Sequence, residues 1–207
     1  MIAPSLPGDD GRFAAAIAEI DAVNAEDPSR EPQGGEPEAP LAPSALLYGQ
    51  RMSGWLLRLA PDAPEELRLA ARAQHIARWR IPRKEFPDGR DGYLAWRVAL
   101  ARFHAETAGE IMARLGYGRG AIDRVADLLQ KKRLKRDSDV QTLEDAACLV
   151  FLETQFAAFA AKHPDDKVID ILRKTAAKMS AAALVEAGKL VERLPAAARA
   201  LVAAALG

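Results

Sequence analysis

The stretch DGYLAWRVALARFHAETAGEIMARL, residues 91–115, decides the fold class. Leu94, Val98, Ala101, Ala105, Ala108, Met112 and Leu115 recur at three- and four-residue steps, which places them on one stripe of a helix from about Tyr93 to Leu115. A second stripe carries Tyr93, Arg97, Leu100 and His104, all within about 60° of one another at ~100° per residue. Just upstream, RAQHIARWRIPR (72–83) falls at the end of an expected helix from about Pro64 to Arg80. There His75, Arg78 and Trp79 are spaced i, i+3, i+4 and would share a face. Polar groups interleaved with aromatics on two neighbouring helices could wall a pocket.

The same periodicity extends outward. A helix is expected over about Val140–Lys162, and another after Pro164 with Val168, Ile171, Leu172, Thr175 and Met179 in step. Ser44 is a good N-cap for a helix to about Leu59, which the segment APDAP ends. Gly116 in GYGRG is the expected stop of the long helix, and a fifth helix follows from about Ala121 to Lys132. Phe13, Ile17 and Ile20 mark a first helix from about Asp9 to Asn24, with Asp9 or Asp10 as its cap. Residues 25–43 form an acidic loop with five prolines and Gly34-Gly35, expected to be mobile and to form neither ladder nor helix. Residues 180–207 are alanine-rich and helical, divided by Pro195. No stretch alternates, so the expectation is all-α: one domain over residues 1–207, a bundle of about seven to nine helices with no sheet.

With 207 residues, 49% hydrophobic and 28% charged, the chain has the composition of an ordinary globular protein able to bury a core. It contains no run of ~20 apolar residues, so no membrane span is expected. No secretory signal is evident, and the single cysteine, Cys148, excludes an internal disulfide. Cytoplasmic localisation follows as the expectation. The net charge is zero but segregated. Residues 1–43 hold nine carboxylates against two arginines, while residues 72–102 hold eight basic against three acidic side chains. Residues 119–136 hold seven basic against two acidic. These segments could attract an anionic ligand or pair with each other.

Phosphate-binding glycine loops, cysteine-rich metal patterns, nucleophile elbows and HExxH helices are all missing. What remains is a distributed set, His75, His104 and Asp145. Asp145 shares its helix face with Cys148, Leu149, Leu152 and Phe156, and an inward carboxylate must be paired, hydrogen-bonded or coordinated. Two imidazoles and a carboxylate suit one divalent metal ion. The alternative is structural, with the histidines bonded to carbonyls or carboxylates and Asp145 paired with an arginine.

Longer motifs carry a resemblance. FHAETAGEIMARLGYGRGAIDRVADLL, a basic turn and then LEDAACLVFLE resemble the second half of a metal-dependent His-Asp (HD) phosphohydrolase domain. AVNAEDP, LLYGQRMSGWL, RAQHIARWRIPR, GYLAWR, FHAETAGEI, LKRDSDVQTLEDAACLVFLE and DILRKT more closely resemble domain-of-unknown-function family 4202, over roughly Arg12 to Ser180. The likeness implies an HD-like core over 44–179, with departures. Tyr48 stands where the superfamily has its first histidine ligand, and Ile76 follows His75 where an aspartate is usual. His104 and Asp145 match a histidine and the final aspartate, while a later histidine is replaced within Leu129–Lys132. Tyr48 is a poor metal ligand, and Lys131 or Lys132 cannot coordinate while protonated.

Arginine suits bidentate recognition of phosphate or carboxylate. The sequence therefore points first to a binder of a phosphorylated or otherwise anionic small molecule. Tyr48, Arg51, Arg78, Trp79, Arg83, Arg90, Tyr93, Arg97, Lys131 and Lys132 are its candidate ligand residues. If the protein is an enzyme, the expected activity is metal-dependent phosphohydrolysis at His75, His104 and Asp145. An RNA-associated role or a protein-interaction module built on the C-terminal helices is the further alternative, the neutral charge disfavouring nucleic acid. Arg97, on a stripe with Leu100, is read as partly buried, facing a ligand or a carboxylate such as Glu144 or Asp145.

Overall fold

The computed structural model describes residues 11–33, 38–134 and 136–207. Among these, ten α-helices, two short 3₁₀ helices and one two-stranded hairpin account for the regular structure. By internal packing the chain divides into two compact units, Met1–Ser53 with Ala63–Lys132 and Gly54–Asp62 with Arg133–Gly207. The first unit holds α1 (Arg12–Ala25), β1 (Arg30–Pro32), β2 (Leu41–Pro43), the start of α2 (Ser44–Leu59), α3 (Glu65–Ala73), α4 (Gly89–Arg114) and α5 (Arg119–Leu129). The second holds the end of α2, then α6 (Ser138–Thr154), α7 (Phe156–Ala160), α8 (Asp165–Ala176), α9 (Ala181–Val191) and α10 (Ala196–Leu206). None of the described helices is long and apolar enough to cross a membrane.

The helical expectation holds, and the absence of a sheet does not. β1 and β2 pair antiparallel, with Arg30 opposite Pro43 and Pro32 opposite Leu41. Gln33 N–H donates to the Pro40 carbonyl and Ser44 N–H to that of Ser29. Bonded and non-bonded pairs alternate in such a ladder, so Pro32 and Pro43 fall where no N–H is required. Part of the expected loop is therefore ordered by register, and residues 34–37 lie outside the described residues. The cap expected from Asp9 or Asp10 also lies outside them.

Helix number exceeds the expected seven to nine because the sixth helix stops at Thr154 and a short α7 restarts at Phe156. The third helix is shorter than its periodicity suggests. It ends at Ala73, and the chain turns through Ala77 (φ 50°) into a 3₁₀ turn over Arg78–Arg80. His75, Arg78 and Trp79 thus do not share a helix face. On α4 the expected apolar stripe is buried only in its second half, at Ala105, Ala108 and Met112. Leu94 and Val98 are 49% and 71% exposed, while Leu100, His104, Ala108 and Ile111 are buried. α5 packs along α4 and α3, and with α1 it closes a core containing Ile20, Met52, Leu67, Leu69, Ile76, Met112 and Leu128. In the second unit α6 packs on α9 and α8 on α10, around Leu143, Leu149, Phe156 and Val168.

Two glycines test this packing. A Cβ at Gly92, in the first turns of α4, would sit 1.9 Å from the Pro87 carbonyl oxygen. The same atom at Gly54, within α2, meets nothing within 4 Å. Gly92→Ala should therefore destabilise by about 1–3 kcal/mol through overpacking. Gly54→Ala should stabilise by roughly 0.4–1 kcal/mol by restricting the unfolded chain. Urea midpoints of the two variants against wild type check both signs.

Candidate functional site

The centre of the first unit is the irregular turn between α3 and the 3₁₀ segment. It is held from α1. Asn24 is buried, and its Oδ1 accepts from the Ala77 N–H at 3.2 Å, fixing a non-glycine residue in the left-handed region. Asp21 forms two bonds to Arg72, 2.6 Å to Nε and 2.5 Å to Nη2, at the end of α3. Glu26 pairs with Arg80 at 2.8 Å and Glu19 with Arg114 at 2.7 Å. Asp27 accepts from Ser29 N–H and from Ala45 N–H, both at 2.9 Å, and so supplies the start of α2. Much of the acidic N-terminal segment is therefore spent on the basic groups of the same unit.

This scaffold brings His75, His104 and Tyr48 together. The Tyr48 and His75 rings stack with centroids 3.9 Å apart and 16° between planes. His104 lies with its centroid 6.0 Å from that of His75. His75 is densely surrounded by protein atoms yet keeps part of its surface accessible, as a group lining a recess would. The Ile76 carbonyl accepts from His104 Nδ1 at 2.8 Å. A carbonyl can only accept, so in the neutral ring the proton is on Nδ1 and Nε2 is an acceptor. His104 is 4% exposed, and Nε2 has no partner among the described residues.

Cations gather around these rings. Burial holds His75 well below the usual imidazole range, helped by the positive charge of Arg78, by His104, and by Lys131 and Arg97. Burial likewise brings His104 down to about 4, with Arg78 adding to the effect against the Ile76 hydrogen bond. Arg78 itself lies over the Trp96 ring, its Cζ 4.6 Å from the centroid. Trp96 is anchored through Nε1, which donates to the Ile81 carbonyl at 2.9 Å. The Arg78 guanidinium makes no hydrogen bond or ion pair with any described residue. Burial first, and then the like charge of Arg97, lower its pKa. A guanidinium nonetheless stays charged at neutral pH.

Arg97 departs from expectation. It is exposed, its Nη1 donating to the Tyr93 hydroxyl at 3.0 Å, and Tyr93 is itself 43% exposed. The stripe Tyr93–Arg97–Leu100–His104 is buried only in its second half, because the first turns of α4 run out from the core. Arg51 pairs with Glu31 across from the hairpin. Arg83 donates to the Phe86 carbonyl at 2.8 Å, Lys132 pairs with Asp127 at 2.7 Å, and Arg90 is exposed. Trp79 is half-buried in the 3₁₀ turn.

Asp145 belongs to the second unit, where its Oδ1 accepts from Gln141 Nε2 at 2.9 Å and from Ser180 N–H at 3.0 Å. The buried carboxylate is satisfied by a side-chain amide and the start of α9 rather than by an arginine. Glu144 lies 4.0 Å from Lys178. Among the described residues no three His, Cys, Asp or Glu side chains are grouped so that they could hold a metal ion. Sequence reasoning missed Asn24, Asp21 and Asp27, which position the site without entering it. Their signal is DAVNAEDP (21–28), whose polar residues lie in the last turns of α1 and just beyond it, at positions with no obvious local use.

Two comparisons with known proteins find nothing: no curated protein and no solved structure matches the chain. A family model, described as Domain of unknown function (DUF4202), matches residues 14–202.

Both imidazoles resist protonation in the folded chain, whereas unfolded histidines titrate near 6.5. As pH falls from about 6.5 to about 4, the unfolded state binds protons that the folded state refuses, so stability falls across that window. The loss should reach up to about 1.4 kcal/mol per pH unit for each histidine. Urea unfolding of wild type and His104→Gln at pH 7, 6, 5 and 4.5 should show the shallower slope in the variant. Asn24→Ala should cost about 1–3 kcal/mol by stranding the buried Ala77 N–H. The matching readout is hydrogen exchange, which should quicken at Ala77 before it does in α6.

Proposed function

The chain belongs to the domain-of-unknown-function family DUF4202, and we propose that its first unit binds a small anionic molecule, phosphorylated or otherwise, at His75, Arg78 and Arg97. The observation that carries this reading is Arg78. A partly buried guanidinium with no carboxylate among the described residues, beside a second arginine, is costly unless an anion completes it. Its planar fork suits two oxygens of a phosphate or carboxylate, and the Trp96 ring holds the fork in place. Arg97 supplies a second, exposed charge that can fold over the ligand, and Tyr93 beside it offers a surface for stacking. The neutral His104 can accept one hydrogen bond through Nε2, which fits a ligand hydroxyl or a monoprotonated phosphate.

The likeness to His-Asp phosphohydrolases enters this reading as ancestry of the frame rather than of the chemistry. Tyr48 stacks on His75 where a metal ligand would be wanted, and a cationic cluster takes the place of the ion. One observation favours the hydrolase alternative, the partnerless Nε2 lone pair of His104, which a metal ion could use. The donor set does not fit a metal ion. Tyr48 is a poor ligand while protonated, Arg78 and Lys131 bring no lone pair while charged, and Asp145 Oδ1 already accepts two hydrogen bonds. Binding without hydrolysis is therefore the function we favour.

Thermal and chemical unfolding with inorganic phosphate, pyrophosphate, a nucleoside monophosphate and acetate, at fixed ionic strength, tests this. Wild type should be stabilised saturably by at least one phosphorylated species, by about 2.7 kcal/mol at a hundredfold excess over Kd. Arg78→Met should leave the ligand-free protein at least as stable, since no internal ion pair is lost, and should abolish the ligand effect. A wild type that responds to none of these anions overturns the proposal. A stoichiometric metal in protein purified without added metal would favour the hydrolase instead.

A further inference from the structure

The second unit contains an apolar cavity of ≈ 220 Å³, remote in sequence from every residue of the anion site. α6 supplies Cys148 and Phe151 to its wall, α8 supplies Leu172 and Thr175, and Val191 and Val202 come from α9 and α10. Well-packed cores leave few voids larger than a water molecule, so this volume is more than a packing fault. Among the described residues no Asp, Glu, Lys, Arg or His side chain lines it. An ionised group placed there would lose its hydration without a partner, and a water cluster would find only a hydroxyl and a thiol. The natural occupant is apolar.

The mouth narrows the choice further. Leu184 and Leu206 line the cavity and are also 40% and 53% exposed. Apolar surface therefore runs from the interior out to solvent, which suits a chain with one end in water better than a compact, fully enclosed molecule. We infer that this cavity binds the alkyl chain of a free single-chain amphiphile, with the polar head left outside at Leu184 and Leu206. Scaled from a ~150 Å³ cavity that takes six-carbon benzene, it accommodates about eight or nine carbons. Thr175 and Cys148 are neutral and weakly polar, so neither opposes a methylene chain.

Calorimetric titration of the full chain with 1-butanol, 1-hexanol, 1-octanol and 1-decanol tests the site. Affinity should tighten about fourfold per methylene, the increment of burying one CH₂, and should level off beyond about nine carbons. Ala176→Leu and Ala187→Leu each add bulk to the cavity wall and should weaken octanol binding at least tenfold while circular dichroism stays helical. If one variant fails to fold, the other serves, and the chain-length series in wild type stands independently of both. Absence of octanol binding, affinity independent of chain length, or undiminished binding in a folded wall variant overturns the inference. So does a dimer, seen by light scattering, that binds octanol only on dissociation, because a second copy would then be the occupant.

Discussion

The hydrogen bond from the Ala77 N–H to Asn24 Oδ1 is the constraint on which the first unit depends. α3 has to stop at Ala73 if His75 is to reach Tyr48, and the chain then passes through a left-handed residue that is not glycine. Such a conformation costs about 1–2 kcal/mol for an L-residue and persists only where neighbours hold it. α1 does the holding. Along its length Glu19, Asp21, Asn24 and Glu26 reach α4, α3 and the turn itself, and Asp27 just beyond it supplies the first turn of α2. The apolar face of α1, with Ala16 and Ile20 buried, seats it. Its polar edge decides how the backbone runs beneath the site.

That arrangement also explains the charge of the cluster. The sequence segregates acid at the start from base in the middle, and the fold brings the two together through Arg72, Arg80, Arg114 and Arg51. Most of these pairs are at least partly exposed and contribute little singly. What matters is Arg78, whose guanidinium these pairs do not reach. Arg78 points along an aromatic ring instead of at a carboxylate, and the charges of Arg97 and Lys131 add to its own at His75. The carboxylates of α1 and its C-terminal end thus meet Arg72, Arg80 and Arg114 but not Arg78.

How much of this was legible follows from the range of the physics. The apolar spacing of α4, α6 and α8 is a local signal, and it identified the helices. It overran at residues 74–80 because Leu67, Leu69 and Ala70 set a period that nothing in RAQHIARWR interrupts; the break is imposed by Asn24, distant in sequence. It misjudged Leu94 and Val98 because periodicity names a face without saying how far the neighbours extend along it. Two histidines and five of the candidate ligand residues do gather, since Tyr48, Arg78, Tyr93, Arg97 and Lys131 carry distinctive chemistry on adjoining elements. Arg51, Arg83 and Lys132 have the same chemistry but meet partners first. The inward carboxylate of Asp145 was readable as a group needing a partner, and the partner, a backbone N–H at Ser180, was not. Nor was the cavity of the second unit, because a void is a property of packed surfaces that no spacing encodes.

The Asn24–Ala77 contact also orders events in time. It spans 53 residues, and Glu19 reaches Arg114 across 95. Contacts of that reach cannot form until the chain between them has been made and brought together, a step whose entropic penalty precedes its reward. During synthesis α1 therefore emerges before α3 and the turn, and its polar edge stays in water until they follow. The left-handed residue at 77 has no local reason to form earlier. The stacking of Tyr48 on His75 therefore depends on the same long-range closure that docks α1.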